Sequence, residues 1–146
     1  MNILILFGLL AVALGQHSSF FSLDPEAIRQ GFISIDMNHD DVVTLDDQLE
    51  WIRKYDLNGD GFLNYKEYKL SQPKNTPTRI LKGQFKYFDK LDGETDDRLS
   101  TPGAPRLRNI FDSNKDGVVT LEEFTQNMPQ VNDGIIKEMN ALAVVG

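Results

Sequence analysis

Cysteine is absent from this 146-residue chain. Its absence excludes disulfide bridges, thiolate nucleophiles and every cysteine-ligated metal centre, and it deprives a small protein of its usual covalent staple. Histidine is nearly missing: His17 and His39 are the only two, which rules out a His-Glu-x-x-His zinc site. Basic charge is scarce as well, with 15 Lys and Arg against 22 Asp and Glu, for a net −7. Nucleic acid and anionic membrane are therefore poor partners. With no paired nucleophile and base, and no phosphate-cradling glycine loop, the chain is not expected to be an enzyme. Long apolar runs are missing too. The longest, Ile3 to Leu14, falls short of the about 20 residues that a membrane-spanning helix needs.

That run ends in Ala13-Leu14-Gly15, small residues at the spacing a signal peptidase reads, although no Lys or Arg precedes it. Residues 1–15 are expected to be a signal peptide and residues 16–146 the mature domain, beginning at Gln16. The end, Ala143-Val144-Val145-Gly146, resembles no ER retrieval signal. The expected localisation is secreted and extracellular.

What the chain has in quantity is aspartate, and its placement is ordered. Of 15 Asp residues, 12 fall in four short segments: 36–47, 56–67, 92–103 and 112–123. In 56–67, oxygen-bearing side chains stand first, third, fifth, ninth and twelfth: Asp56, Asn58, Asp60, Asn64 and Glu67. Segment 112–123 repeats the pattern with Asp112, Asn114, Asp116, Thr120 and Glu123. Gly61 and Gly117 stand sixth, where a tight loop turns through positive φ and a Cβ is costly. Alternating oxygens on so short a loop form a cage for a hard, large cation that wants six to eight of them.

The four segments arise from a duplication with a period of 56 residues, which maps Asp36 onto Asp92 and Asp56 onto Asp112. Segment 36–47 carries Asp36, Asn38, Asp40, Thr44 and Asp47, with Asp41 in place of the sixth-position glycine. Asp47 is one methylene shorter than a closing Glu, so its two-oxygen reach should be strained and affinity lower. Segment 92–103 is degenerate. It keeps Asp92, Glu94, Asp96 and Ser100 but has Pro102 and Gly103 where the closing carboxylate belongs. A rival register starts at Asp89. In either register this loop should hold no ion, should serve to pair with a working loop, and should tolerate change at Gly103.

Apolar stripes flank the loops at helical spacing: Ile28, Phe32 and Ile35; Leu49, Ile52 and Tyr55; Leu81, Phe85 and Phe88; Leu107 and Phe111. Asp24-Pro25-Glu26 is a helix start. A helix leaving the last loop should stop at Pro129, with a separate closing helix over 135–144. Residues 48–55, the eight between the first two loops, must form one helix serving both, about 12 Å long at 1.5 Å per residue. Loops one and two then lie at opposite ends of it, so a nested arrangement is expected, with loop two facing three and loop one facing four. The apolar eighth positions that would pair are Val43, Leu63, Leu99 and Val119.

The residues from Asp36 to Glu123 resemble the EF-hand calcium-binding superfamily. The resemblance implies a mainly α fold of helix-loop-helix repeats with short β pairings between loops, and Ca2+ as the cofactor. It implies backbone-carbonyl ligands at Val42, Phe62 and Val118 beside the side chains already named, with the twelfth residue giving two oxygens. With the signal-like start, the chain looks most like small secreted invertebrate EF-hand proteins, including those of molluscan shell matrix. The expected function is a secreted calcium-binding protein, structural or ion-handling, with matrix or mineral as partner. The alternative is a sensor or adaptor that opens to grip a target helix. Such sensors favour a Met-rich groove, whereas the mature part has only Met37, Met128 and Met139.

Overall fold

A computed structural model describes residues 24–145; the expected signal peptide lies outside the described residues. The elements run α1 (Pro25–Ile35), β1 (Val42–Val43), α2 (Leu45–Tyr55), β2 (Phe62–Asn64), α3 (Tyr65–Leu70), α4 (Thr78–Leu91), β3 (Arg98–Ser100), α5 (Ala104–Asn109), β4 (Val119–Thr120) and α6 (Leu121–Val145). This is the mainly helical fold expected, with two small antiparallel sheets.

Helices α1, α2, α3 and α6 start where the sequence provides side-chain acceptors for their free N–H groups. Asp24 caps α1, its Oδ2 accepting from the Ala27 N–H at 3.3 Å, with Pro25 in the first turn. Thr44 and Asp47 form a reciprocal capping box on α2, and Asn64 and Glu67 form another on α3. Thr120 and Glu123 do the same for α6. In loops one, two and four the ninth and twelfth positions are thus the N-cap and third residue of the next helix. The geometry of the loop and the start of the helix rest on the same two side chains.

The pairing is nested. β1 joins β4, with Val43 opposite Val119, and β2 joins β3, with Leu63 opposite Leu99. α2 separates the first two loops and α5 the last two, so each is both exit and entrance helix. The buried apolar side chains form one cluster, from Ile28 in α1 to Met139 in α6. The expected stripes on α1 and α4 are buried. On α2 the buried face is centred one residue away from the expected stripe: Trp51 is 1% exposed, and Gln48 and Ile52 are buried, while Leu49 and Tyr55 are only half-buried. A helix that packs against α1, α3 and α5 together needs a wider apolar face than a single stripe.

Pro129 does not end a helix. α6 runs through it for 25 residues, and the two helices expected on either side are one. Proline removes one N–H and crowds the preceding turn. Thr125 Oγ1 donates to the Leu121 carbonyl at 2.7 Å and Asn127 Nδ2 to the Glu123 carbonyl at 2.9 Å, which fasten the preceding turns but do not reach the Thr125 carbonyl that Pro129 deprives of its N–H. Packing against α4 holds the helix together across the proline. The two helices approach closely at Gly83 and Gly134, where an added Cβ would fall on Met139 Cγ and on the Tyr87 ring respectively. Among the described residues, no helix is long and apolar enough to cross a membrane.

Candidate metal centres

In loop two, Asp56 Oδ1 accepts from the Gly59 and Asp60 N–H groups at 2.8 and 3.1 Å, and its Oδ2 from Gly61 at 2.8 Å. Asn58 Oδ1 accepts from Asp60 and Asp60 Oδ1 from Phe62, both at 3.0 Å. From the far side, Glu67 Oε1 accepts from Leu57 at 3.1 Å and its Oε2 from Asn64 at 3.1 Å. These bonds turn the named oxygens toward the inside of one ring. Glu67 is 4% exposed, so its carboxylate lies across the ring and not in solvent.

Loop four repeats this. Asp112 accepts from Asp116 and Gly117, Asn114 from Asp116, and Asp116 from Val118. Glu123 accepts from Asn114 at 3.3 Å and from Thr120 at 3.0 Å. The Thr120 N–H holds the Glu123 carboxyl below the usual carboxylate range.

Loop one has the same ring in spite of its two departures. Asp36 accepts from Asp40 and Asp41, Asn38 from Asp40, and Asp40 from Val42. Asp41 adopts the left-handed φ of +67° that glycine has at this place in loops two and four. Asp is among the few residues that enter this region at modest cost. Asp47, though shorter, still reaches both sides: its Oδ1 accepts from Met37 at 3.0 Å and its Oδ2 from Thr44 at 2.8 Å. The strain expected of it does not break the closing contacts.

Loop three does not form this ring. β3 places Leu99 eighth, which supports the register that starts at Asp92. The acceptor that the first position supplies elsewhere comes instead from Asp89, a turn earlier in α4: its Oδ1 accepts from Asp96 at 3.1 Å and Arg98 at 3.2 Å. Asp92 Oδ2 accepts from Ser100 at 3.0 Å, the bond that the twelfth residue makes in the other loops. Both sequence registers therefore describe part of the loop. Burial pushes the carboxyls of Asp89 and Asp92 above the usual range. Gly103 is not a neutral position. A Cβ there would fall on Asp92 Cβ and lie 2.8 Å from the Asp92 carbonyl oxygen, because Asp92 fills the space the missing closing side chain would take.

The oxygens of Asp36, Asn38, Asp40, Val42, Thr44 and Asp47 fit a hard cation, as do those of Asp56, Asn58, Asp60, Phe62, Asn64 and Glu67, and of Asp112, Asn114, Asp116, Val118, Thr120 and Glu123. Loop three, whose twelfth position is Gly103 with no side chain to close a ring, does not. Among the described residues no three acidic or imidazole side chains cluster as a metal group by themselves. Each ring mixes carboxylates with amide, hydroxyl and carbonyl oxygens, which acidity alone does not reveal. Two features escaped the sequence reading: the fourth position is also left-handed, at His39, Gly59 and Lys115, and Asp89 works inside loop three. The rival register at Asp89 was the available signal for the second.

The family model described as EF hand matches residues 49–70 and 109–128. No curated protein and no solved structure matches the chain. The two matched segments contain loops two and four, each with parts of its flanking helices, and the ion that EF hands bind is Ca2+.

Proposed function

We propose that this protein is a secreted, non-catalytic calcium-binding protein of the extracellular space in which three ions are part of the fold. The ligands are the side-chain and carbonyl oxygens of loops one, two and four. The observation that carries this reading is the double use of Asp47, Glu67 and Glu123, each closing a loop and capping the helix that follows it. An ion held by those carboxylates stabilises loop and helix start together. Its contribution is RT ln(1 + [L]/Kd), about 2.7 kcal/mol per site at a hundredfold excess over Kd. Extracellular modules of this kind bind at about 10⁻⁴–10⁻³ M, matched to a calcium-rich fluid. This chain, with no cysteine, has that stabilisation in place of disulfides.

A sensor that opens onto a target helix is less well supported. Met128 and Met139 are each 5% exposed, within the core and not along a groove. Secretion rests on the sequence of residues 1–15. Action at a matrix or mineral surface rests on exposed loop carboxylates outside the cages, such as Asp41, Asp46 and Glu94.

Calorimetric titration of the mature chain tests the reading, with three bound ions expected; a count of four contradicts the ion-free loop three. An apolar dye should gain no fluorescence on calcium addition, whereas a large gain favours the sensor. Expression in secreting cells should deliver to the medium a chain that starts at Gln16, and retention of the intact start inside the cell contradicts secretion.

A further inference from the structure

Loop three is as well ordered by its own contacts as its neighbours, yet it is built without the parts that coordinate an ion. Five backbone or side-chain donors converge on two carboxylates: Asp96 and Arg98 N–H on Asp89, and Glu94 N–H with Ser100 N–H and Oγ on Asp92. The Ser100 hydroxyl oxygen in turn accepts from Gly103 N–H at 3.0 Å, which fastens the end of the loop where Glu67 would stand in loop two. Asp89 is fully buried and Asp92 is 5% exposed, so these bonds are shielded from competing water. Protein cations stand around the loop: Lys86 pairs with Asp97, and the Arg98 guanidinium lies 5.2 Å from the centre of the Phe62 ring.

The side of loop three held in this way is the one that meets loop two. Ser100, Leu99 and Arg98 stand opposite Phe62, Leu63 and Asn64, and Thr101 N–H donates to the Gly61 carbonyl at 3.4 Å. Phe62 and Asn64 are two of the six residues assigned to the loop-two cage, and Gly61 is its turning point.

We propose that Asp89 and Asp92 are positioning residues for the loop-two calcium site: they close loop three with the protein's own carboxylates, so that β3 is a fixed partner for β2 with or without calcium. Loop two then needs no second ion across its pairing. This differs from the β1–β4 pair, where both loops are ion cages. The proposal rests on the reading of 56–67 as a calcium site.

The test uses the full chain with loops one and four disabled by Asp47→Asn and Glu123→Gln, so that calcium titration reads loop two alone. Adding Asp92→Ala, or Gly103→Ala, should weaken that site about fivefold to tenfold, the size typical of coupling through a packed neighbour, while the count stays at one ion. Asp92→Asn keeps an acceptor for Ser100 and should weaken it less than Asp92→Ala. An unchanged loop-two affinity overturns the proposal. So does loss of an ion on Asp92→Ala in the otherwise unaltered protein, which would make loop three itself a site. If the background chain binds no ion, and adding Glu67→Gln changes nothing, the reading of loop two fails and this proposal goes with it. Hydrogen exchange on the unaltered, calcium-free protein tests the same point without substitutions. The amides of Asp96, Arg98 and Ser100 should stay protected while those of Asp60 and Gly61 exchange, and equally fast exchange at all five sites overturns the proposal.

Discussion

Val43 lies opposite Val119 across a two-stranded antiparallel pairing, although 76 residues of chain separate them. The pairing joins the first loop to the last and encloses the β2–β3 pair between them in sequence. Two loops that share a backbone pairing share the cost of ordering it, so an ion in one lowers the cost of filling the other. Loops one and four should therefore bind as a coupled pair and loop two as a separate site. Glu123→Gln should remove the loop-four ion and also weaken loop one, whereas Glu67→Gln should remove one ion and leave the other two unchanged. Titration of both variants by calorimetry checks this. Equal, independent losses would contradict the coupling.

Gly103→Ala should be costly, although the sequence pattern alone marks the position as indifferent. The added methyl meets Asp92 at its Cβ and carbonyl, in a place where backbone and not a flexible side-chain end must move. Overpacking of this kind costs about 1–3 kcal/mol. Urea denaturation in saturating calcium should show the midpoint fall with little change in slope.

Asp89→Asn should stabilise the protein at neutral pH. One oxygen of Asp89 accepts two N–H groups, but the other, Oδ2, is buried without a hydrogen-bond partner, and burial raises the carboxyl's pKa. A carboxyl whose folded pKa is raised binds its proton more tightly when folded. Its favourable contribution is present below the ordinary value near 4 and is lost as pH rises through the folded pKa. Asn keeps the acceptor oxygen and removes the charge. The gain should be about 1 kcal/mol at pH 7, a melting shift of a few degrees, and should shrink toward pH 4. Thermal melts of both proteins in calcium between pH 4 and 7 check the sign.

Much of this was legible in the sequence because the loops obey strict local rules. Asp56, Asn58, Asp60, Gly61 and Glu67 each have one chemical task at one position, and the eight residues between loops one and two force the nested pairing by length alone. What was not legible depended on tertiary contacts. Pro129 looks like a helix stop, but packing against α4 carries α6 past it. Gly83 and Gly134 look like ordinary helix glycines until α4 and α6 cross there. Asp89 lies outside the 92–103 frame that the duplication favours; the rival register that starts at it was the only local sign of its task, which depends on α4 running on to Leu91.

Differential scanning calorimetry of the mature chain, in saturating calcium and again in chelator, tests most directly whether bound ions hold this cysteine-free fold together. Three sites at about 2.7 kcal/mol each predict a melting temperature at least about 10 °C lower in chelator, restored with release of heat when calcium is returned. An identical melt in both, with no heat on adding calcium back, would contradict the account at its root.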